Sequence, residues 1–302
     1  MQTEITRLLG IRYPIIMGGM GGVTTAPLVA AVGNAGGLGL LGAALWHKEE
    51  LKEQIRLIRK MSTAHFGINI PMGIPQAEEL VSTAIEEKVK LVTTSAGNPT
   101  RFTQLLQENG IKVFHVAATV AYAIKAAKAG VDAVVAEGSE SGGMTSLQEI
   151  STMALLPQVA DATSCPVVAA GGIGDGRGLV AALALGASGV QMGTTFLAAS
   201  ECEISSGFKA MMVKARETDT AMVRREKSAR RIFNESYFQG FLQQNTNTYP
   251  DLKTDETASY RGMGQIAGLV SEIKPAAEII QHIVQQAEKI LPSLKEQLTT
   301  KS

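Results

Sequence analysis

Eight short apolar runs rich in Val, Ile, Leu and Ala recur between residues 14 and 192, each followed by a Gly, Ser or Thr cluster and then by apolar residues spaced three and four apart. The runs cover residues 14–17, 38–41, 66–70, 91–94, 112–116, 133–136, 167–170 and 189–192. They are continuous and not alternating, as expected of strands buried on both faces of a parallel sheet. Helices are predicted between them over residues 26–34, 48–60, 75–88, 98–108, 119–128, 149–163 and 178–184. A doubly wound open sheet also alternates strand and helix. Eight units of this regularity favour closure instead, so the predicted fold class is α/β, a (β/α)8 TIM barrel.

Beyond the eighth run the character changes. Residues 200–260 hold mixed-charge helical stretches such as 209–216 and the polar run 243–248, read as a helical insertion or lid over the barrel mouth. The segment 262–268, with three glycines, brings the chain back, and an amphipathic helix over 275–291 closes it. The predicted organisation is a barrel with its C-terminal helix, residues 1–199 and 261–302, interrupted by a lid at 200–260. With 302 residues and 45% hydrophobic content the chain has enough material for one large core.

Charge excludes several classes of partner. Lys plus Arg and Asp plus Glu are each 28, so there is no overall electrostatic footprint for nucleic acid or an anionic membrane. Cys165 and Cys202 are too few and too far apart for a disulfide framework or a metal-ligand spacing, and no metal site is expected. Residues 1–7 have no apolar signal core, and no run approaches the roughly 18 apolar residues of a membrane span. The expectation is a cytoplasmic protein.

In such a barrel the site is expected at the C-terminal ends of the strands. After the first strand, Gly18, Gly19, Gly21 and Gly22 surround Met20 and would let a flat ring approach the backbone. The ends of strands seven and eight carry Gly171-Gly172 and Gln191-Met192-Gly193-Thr194-Thr195, where backbone amides and a short extra helix form phosphate sites in these barrels. Thr194 or Thr195 adds a hydroxyl donor, and Asp175 is assigned to the turn or the following helix. Asn69, at the end of strand three, both donates and accepts, which suits the edge of a flavin pyrimidine. The run Glu137 to Met144 sets Glu137 and Glu140 at the same face. Of the four histidines only His115 ends a strand there, and it is a candidate either for a flavin-facing or relay role or for a structural hydrogen bond.

At these residues the chain resembles the family that joins nitronate monooxygenases, formerly 2-nitropropane dioxygenases, with FMN-dependent enoyl-acyl-carrier-protein reductases. The resemblance runs in order through residues 14–20, 66–69, 94–99, 137–143, 170–173, 191–194 and 264–268. It implies non-covalent FMN held by Gly18, Gly19, Met20, Asn69, Glu137, Gly142, Gly171, Gly172, Gln191, Met192, Gly193, Thr194 and Gln265. It also implies a histidine directly after Gly142-Gly143, where this sequence has Met144. A thioether neither accepts nor donates a proton near neutral pH, so nitroalkane oxidation by α-proton abstraction loses its base. Met144, His115 and Glu140 are the predicted catalytic positions.

The reading this supports is an FMN-dependent oxidoreductase, an enoyl-thioester reductase using NADH or NADPH. Its substrate is a small molecule or an acyl thioester, with an acyl carrier protein as one possible bearer, and a homodimer is one option for the assembly. The alternatives are nitronate or nitroalkane oxidation, an NAD(P)H:quinone reductase, or a flavin-binding subunit without its own catalysis.

Overall fold

The computed structural model describes residues 1–224, 226, 228–245 and 262–298. Residues 246–260 of the predicted lid, and 261 and 299–302 of the predicted barrel segment, lie outside the described residues.

Eight parallel strands close a barrel: β1 (Ile15–Met17), β2 (Leu38–Gly42), β3 (Phe66–Pro71), β4 (Leu91–Ser95), β5 (Lys112–Ala117), β6 (Ala133–Glu137), β8 (Val167–Ala170) and β9 (Gly189–Met192). Closure is made by β9 against β1, with Ile15 beside Val190 and Met17 beside Met192. All eight lie on the apolar runs of the sequence, because both faces of each strand are covered. Ile16, Leu38, Leu40, Leu91, Phe114, Val135 and Val168 fill the interior. The N-terminal helix α1 (Glu4–Leu9) plugs the lower end of this interior with Ile5 and Leu9, both fully buried. It starts on a reciprocal Thr3/Thr6 capping box and stops at Gly10, which takes the left-handed conformation with φ 66°.

The outer helices are α2 (Ala26–Asn34), α3 (Lys48–Met61), α4 (Ala77–Glu86), α5 (Thr103–Glu108), α6 (Val120–Lys128), α7 (Thr152–Ala162) and α8 (Gly176–Ala184). The eighth outer position, between α8 and α2, belongs to the terminal helix α12 (Ala276–Leu298), so the chain leaves the barrel after β9 and returns to finish it. Both cysteines are free. Among the described residues no helix is long and apolar enough to cross a membrane.

The segment between β9 and α12 is not wholly helical. It holds the short α9 (Thr194–Leu197), then α10 (Ser206–Met212) and α11 (Glu235–Asn245), and between these last two an antiparallel hairpin of β10 (Thr220–Arg224) and β11 (Ala229–Phe233). The free edge of β11 pairs with β7 (Gly143–Thr145), setting Ala229 opposite Thr145, Arg230 opposite Met144 and Arg231 opposite Gly143. Residue 144 thus sits in a small three-stranded sheet, apart from the barrel. Phe233 anchors this sheet, fully buried, with its ring 5.8 Å from that of Phe208 and 5.3 Å from that of Tyr237. Burial of such a side chain is worth roughly 1.5–3 kcal/mol.

Candidate active site

A cavity of about 1020 Å³ opens at the C-terminal ends of the barrel strands. This is at the top of the roughly 300–1,000 Å³ range of small-molecule sites, enough for a cofactor and a second ligand together. Gly18, Gly19, Met20, Asn69, His115, Glu137, Glu140, Gly142, Met144, Gly171, Gly172, Gln191, Met192, Gly193 and Thr194 all line it.

One end of the cavity is built of backbone. Gly171 and Gly172, directly after β8, have φ 87° and 70°, a left-handed pair that side chains rarely adopt. A Cβ on Gly171 would stand 2.8 Å from the carbonyl oxygen of Gly138. Among the described residues no turn or loop hydrogen bond uses the amides of Gly172, Ile173, Gly193 or Thr194. Thr194 and Thr195 differ: the Thr195 hydroxyl donates to Gly174 O, whereas that of Thr194 accepts from Gly264 N at 3.0 Å and keeps its proton available. Asp175 caps α8, accepting from the amides of Arg177 and Gly178, as the sequence suggested.

The middle of the cavity is tight and polar. A Cβ on Gly19 would come within 2.5 Å of the Asn69 side chain, so glycine is required for the chain to pass there. Asn69 Nδ2 donates to Thr93 O at 3.3 Å. Gln191 Oε1 and Ser141 Oγ are buried without a hydrogen-bond partner, an arrangement that costs about 1–3 kcal/mol per group unless a ligand satisfies it. Gly142 has no room for a side chain, because a Cβ would meet Gly264 N at 2.6 Å where the return segment crosses.

Three titratable groups on the cavity wall differ by environment. Burial pushes Glu137 up to about 7, against a smaller lowering by Ser141, whose hydroxyl is near but not at hydrogen-bonding geometry. Glu137 therefore holds a proton for part of the time at neutral pH. His115 is held down at about 4 by burial and, secondarily, by the Lys125 ammonium, and is a neutral imidazole at pH 7. Its Nδ1 lies 2.7 Å from Thr94 Oγ1. The Glu140 carboxylate accepts from Thr152 N at 2.9 Å and from Thr152 Oγ1 at 3.0 Å, at the first turn of α7. That same Thr152 hydroxyl lies 2.9 Å from Gly171 O.

Glu140, expected as a catalytic group, lines the cavity, and its carboxylate accepts from the first turn of α7. Gln265 was expected on the cofactor, but its side chain is exposed and outside the cavity, while its backbone amide donates to Glu140 O at 3.0 Å. Its neighbours Gly264 and Ile266 line the cavity in its place. The sequence reading missed Arg230, Lys125 and Tyr122, which stand on the cavity wall. The signal for Arg230 was present in the basic run 224–231, which falls within the segment 200–260 read as a helical insertion or lid.

The comparisons agree with the geometry. A family model described as nitronate monooxygenase matches residues 2–85 and 72–286. A probable nitronate monooxygenase of Staphylococcus aureus (strain MSSA476) is 33% identical, covering 96% of this chain and 98% of that one. Another, of Staphylococcus saprophyticus, is 34% identical with coverages of 96% and 99%. FabK from Thermotoga maritima superposes with a TM-score of 0.90 at 38% identity, over 99% of this chain and 100% of that one. A nitroalkane oxidase from Streptomyces ansochromogenes gives 0.81 at 25% identity, with coverages of 96% and 99%. With its closed barrel, its cavity at the strand ends and these matches along nearly its whole length, the chain belongs to the nitronate monooxygenase family of FMN-dependent oxidoreductases.

Proposed function

We propose that this oxidoreductase reduces enoyl thioesters with NADH or NADPH, in a reducing, cytoplasmic setting where Cys165 and Cys202 stay free. The observation that carries the reading is Met144: it lines the cavity, half exposed, and its cross-strand neighbour is Arg230, so that stretch of wall has no proton acceptor.

The residues present fit FMN. The left-handed Gly171-Gly172 pair, the Gly193 and Thr194 amides and the Thr194 hydroxyl suit its phosphate, a site made from dipoles and not from lysines. Asn69, Gln191 and Ser141 offer polar atoms to the ring edge, two of them otherwise unsatisfied, and Gly19 leaves room beside Asn69. When bound, FMN would supply hydride transfer from the nicotinamide to the β-carbon of the enoyl thioester, with solvent water giving the proton to the α-carbon. The chain's own part is to orient and to shield. Leu45, Tyr122, Met144 and Leu147 are apolar, line the cavity and are 37–58% exposed, a surface suited to an acyl chain. Loss of a positioned base costs about 10²–10⁴-fold where proton abstraction is required, and reduction by hydride does not begin with that step.

Oxidation of nitronates already supplied as anions is the second reading. It needs no base, and Arg230 beside residue 144 favours an anion.

Mass spectrometry of the released cofactor is expected to give FMN, since the glycine loops after β8 and β9 suit one terminal phosphate; FAD would contradict this. In anaerobic mixing, NADH or NADPH should bleach the flavin and a crotonyl thioester should restore its colour. A flavin that stays oxidised with both donors, in a protein that turns over neutral nitroalkanes in air, would overturn the proposal.

A further inference from the structure

Two carboxylates, Glu137 and Glu140, and two cations, Lys125 and Arg230, line the cavity. Glu137, half-buried at the end of β6, is held up to about 7 by desolvation, and the Glu140 carboxylate accepts from Thr152. The cations are Arg230 on β11 and Lys125 on α6, and among the described residues neither side chain has a hydrogen-bond or ion-pair partner. Other arginines of the same hairpin are committed: Arg224 pairs with Glu149 at 2.6 Å, and Arg231 donates to Ser139 O at 2.9 Å. In sequence the hairpin reads Arg224-Arg225-Glu226-Lys227-Ser228-Ala229-Arg230-Arg231, five cations and one carboxylate in a chain of zero net charge. Arg230 lies opposite Met144, and directly opposed residues of an antiparallel pair project to the same face. One wall of the cavity therefore joins an uncommitted guanidinium to an exposed apolar surface.

We propose that Arg230, with Lys125 as a second cation on the cavity wall, anchors a phosphate group of the ligand whose apolar or acyl portion rests on Met144. The guanidinium fork matches phosphate in two-point fashion, and such charge-assisted bonds are about twice as strong as neutral ones. This cradle is separate from the glycine loops of β8 and β9 and would read the ligand that enters above the flavin. A phosphate can reach it from two sources, the 2′-phosphate of NADPH or the 3′-phosphate of a coenzyme A thioester. The assignment to thioester or nicotinamide rests on the proposed reductase reading; the phosphate site itself does not.

The test therefore begins with binding. Holoenzyme is titrated by calorimetry with 2′,5′-ADP and with 3′,5′-ADP, for the wild type, Arg230→Ala and Arg230→Lys. At least one of the two should bind, and Arg230→Ala should weaken it at least tenfold, about 1.4 kcal/mol, with a shallower salt dependence. Arg230→Lys should recover part of the loss. Preference for 2′,5′-ADP identifies the nicotinamide as the source, and preference for 3′,5′-ADP the thioester. If turnover is present, Arg230→Ala should raise KM for crotonyl-CoA at least tenfold more than KM for the N-acetylcysteamine thioester, or do so for NADPH over NADH. Wild-type protein that binds neither nucleotide, or an alanine variant that binds both as tightly as wild type, overturns the proposal. An effect confined to substrates on an acyl carrier protein would overturn it too, in favour of a protein-docking role. Absence of thioester turnover with intact, Arg230-dependent nucleotide binding would reject the reductase reading and leave the phosphate anchor standing.

Discussion

Gly172→Asp is expected to give a folded barrel that no longer retains FMN. Position 172 has φ 70°, and a side chain there costs about 1–2 kcal/mol in backbone strain alone, somewhat less for Asp, which tolerates this region. The new Cβ would lie 3.4 Å from the Glu140 side chain, so a second carboxylate would be added beside an existing one on the loop proposed to hold the phosphate. Like charges at such range disfavour each other strongly away from bulk water. We expect the flavin dissociation constant to rise at least about a hundredfold, ~2.7 kcal/mol. The companion Gly193→Asp separates the causes. Gly193 has φ −109°, and a Cβ there meets only Met20 Sδ at 3.4 Å, so loss of flavin in that variant reports charge repulsion without backbone strain. The ratio of flavin to protein absorbance after reconstitution, with circular dichroism as a check on folding, reads both. Stoichiometric FMN in either variant would move the phosphate site elsewhere.

The second large effect is expected at residue 144. The wild type should oxidise neutral nitroalkanes poorly, and Met144→His should raise that activity at least about tenfold, the equivalent of 1.4 kcal/mol of barrier. Crotonyl-thioester reduction should change less. The hairpin refines the expectation for pH. An imidazole has an unperturbed pKa of about 6.5, and the guanidinium of Arg230 across the strand pair disfavours its protonated form. The base must be neutral to act, so activity is lost as pH falls through a pKa that lies below the unperturbed value. Removing Arg230 in the Met144→His background should move that acid limb upward. Strong nitroalkane oxidation by the wild type would show that proton abstraction does not depend on residue 144, and would return nitroalkane oxidation to first place.

The barrel was legible because its strands obey a simple rule. Residues 167–170 and 189–192 are uninterrupted apolar runs since both faces are covered, and the predicted bounds match β8 and β9. The hairpin obeys no such rule. β11 buries Ala229 and Phe233 at its ends and leaves Arg230, Arg231 and Ile232 half covered, so neither alternation nor continuity marks it, and its charges read as a helical face. β7 is three residues long and begins at a glycine with φ 78°. Its pairing partner lies more than eighty positions away, beyond the reach of local pattern. Within the site, the glycine doublet could be read because close backbone approach demands that residue. The contacts of Glu140 could not: they depend on the loop folding back so that Thr152, twelve residues later, offers its amide and hydroxyl.

The pairing of β7 with β11 builds the two sides of the cavity from two separate sheets of one chain. The floor that suits the cofactor is cut from barrel strand ends, whose geometry is tied to closure of the whole cylinder. The wall that carries residue 144 hangs on a hairpin outside that cylinder, and its cross-strand neighbour is also a hairpin residue. Substitutions at a hairpin residue that lines the cavity, such as Arg230, can redraw that wall while the barrel strand ends stay in place, whereas Arg231 also holds the loop after β6 through Ser139 O. Exchange of the hairpin between relatives is then a graft of selectivity onto a common redox chassis.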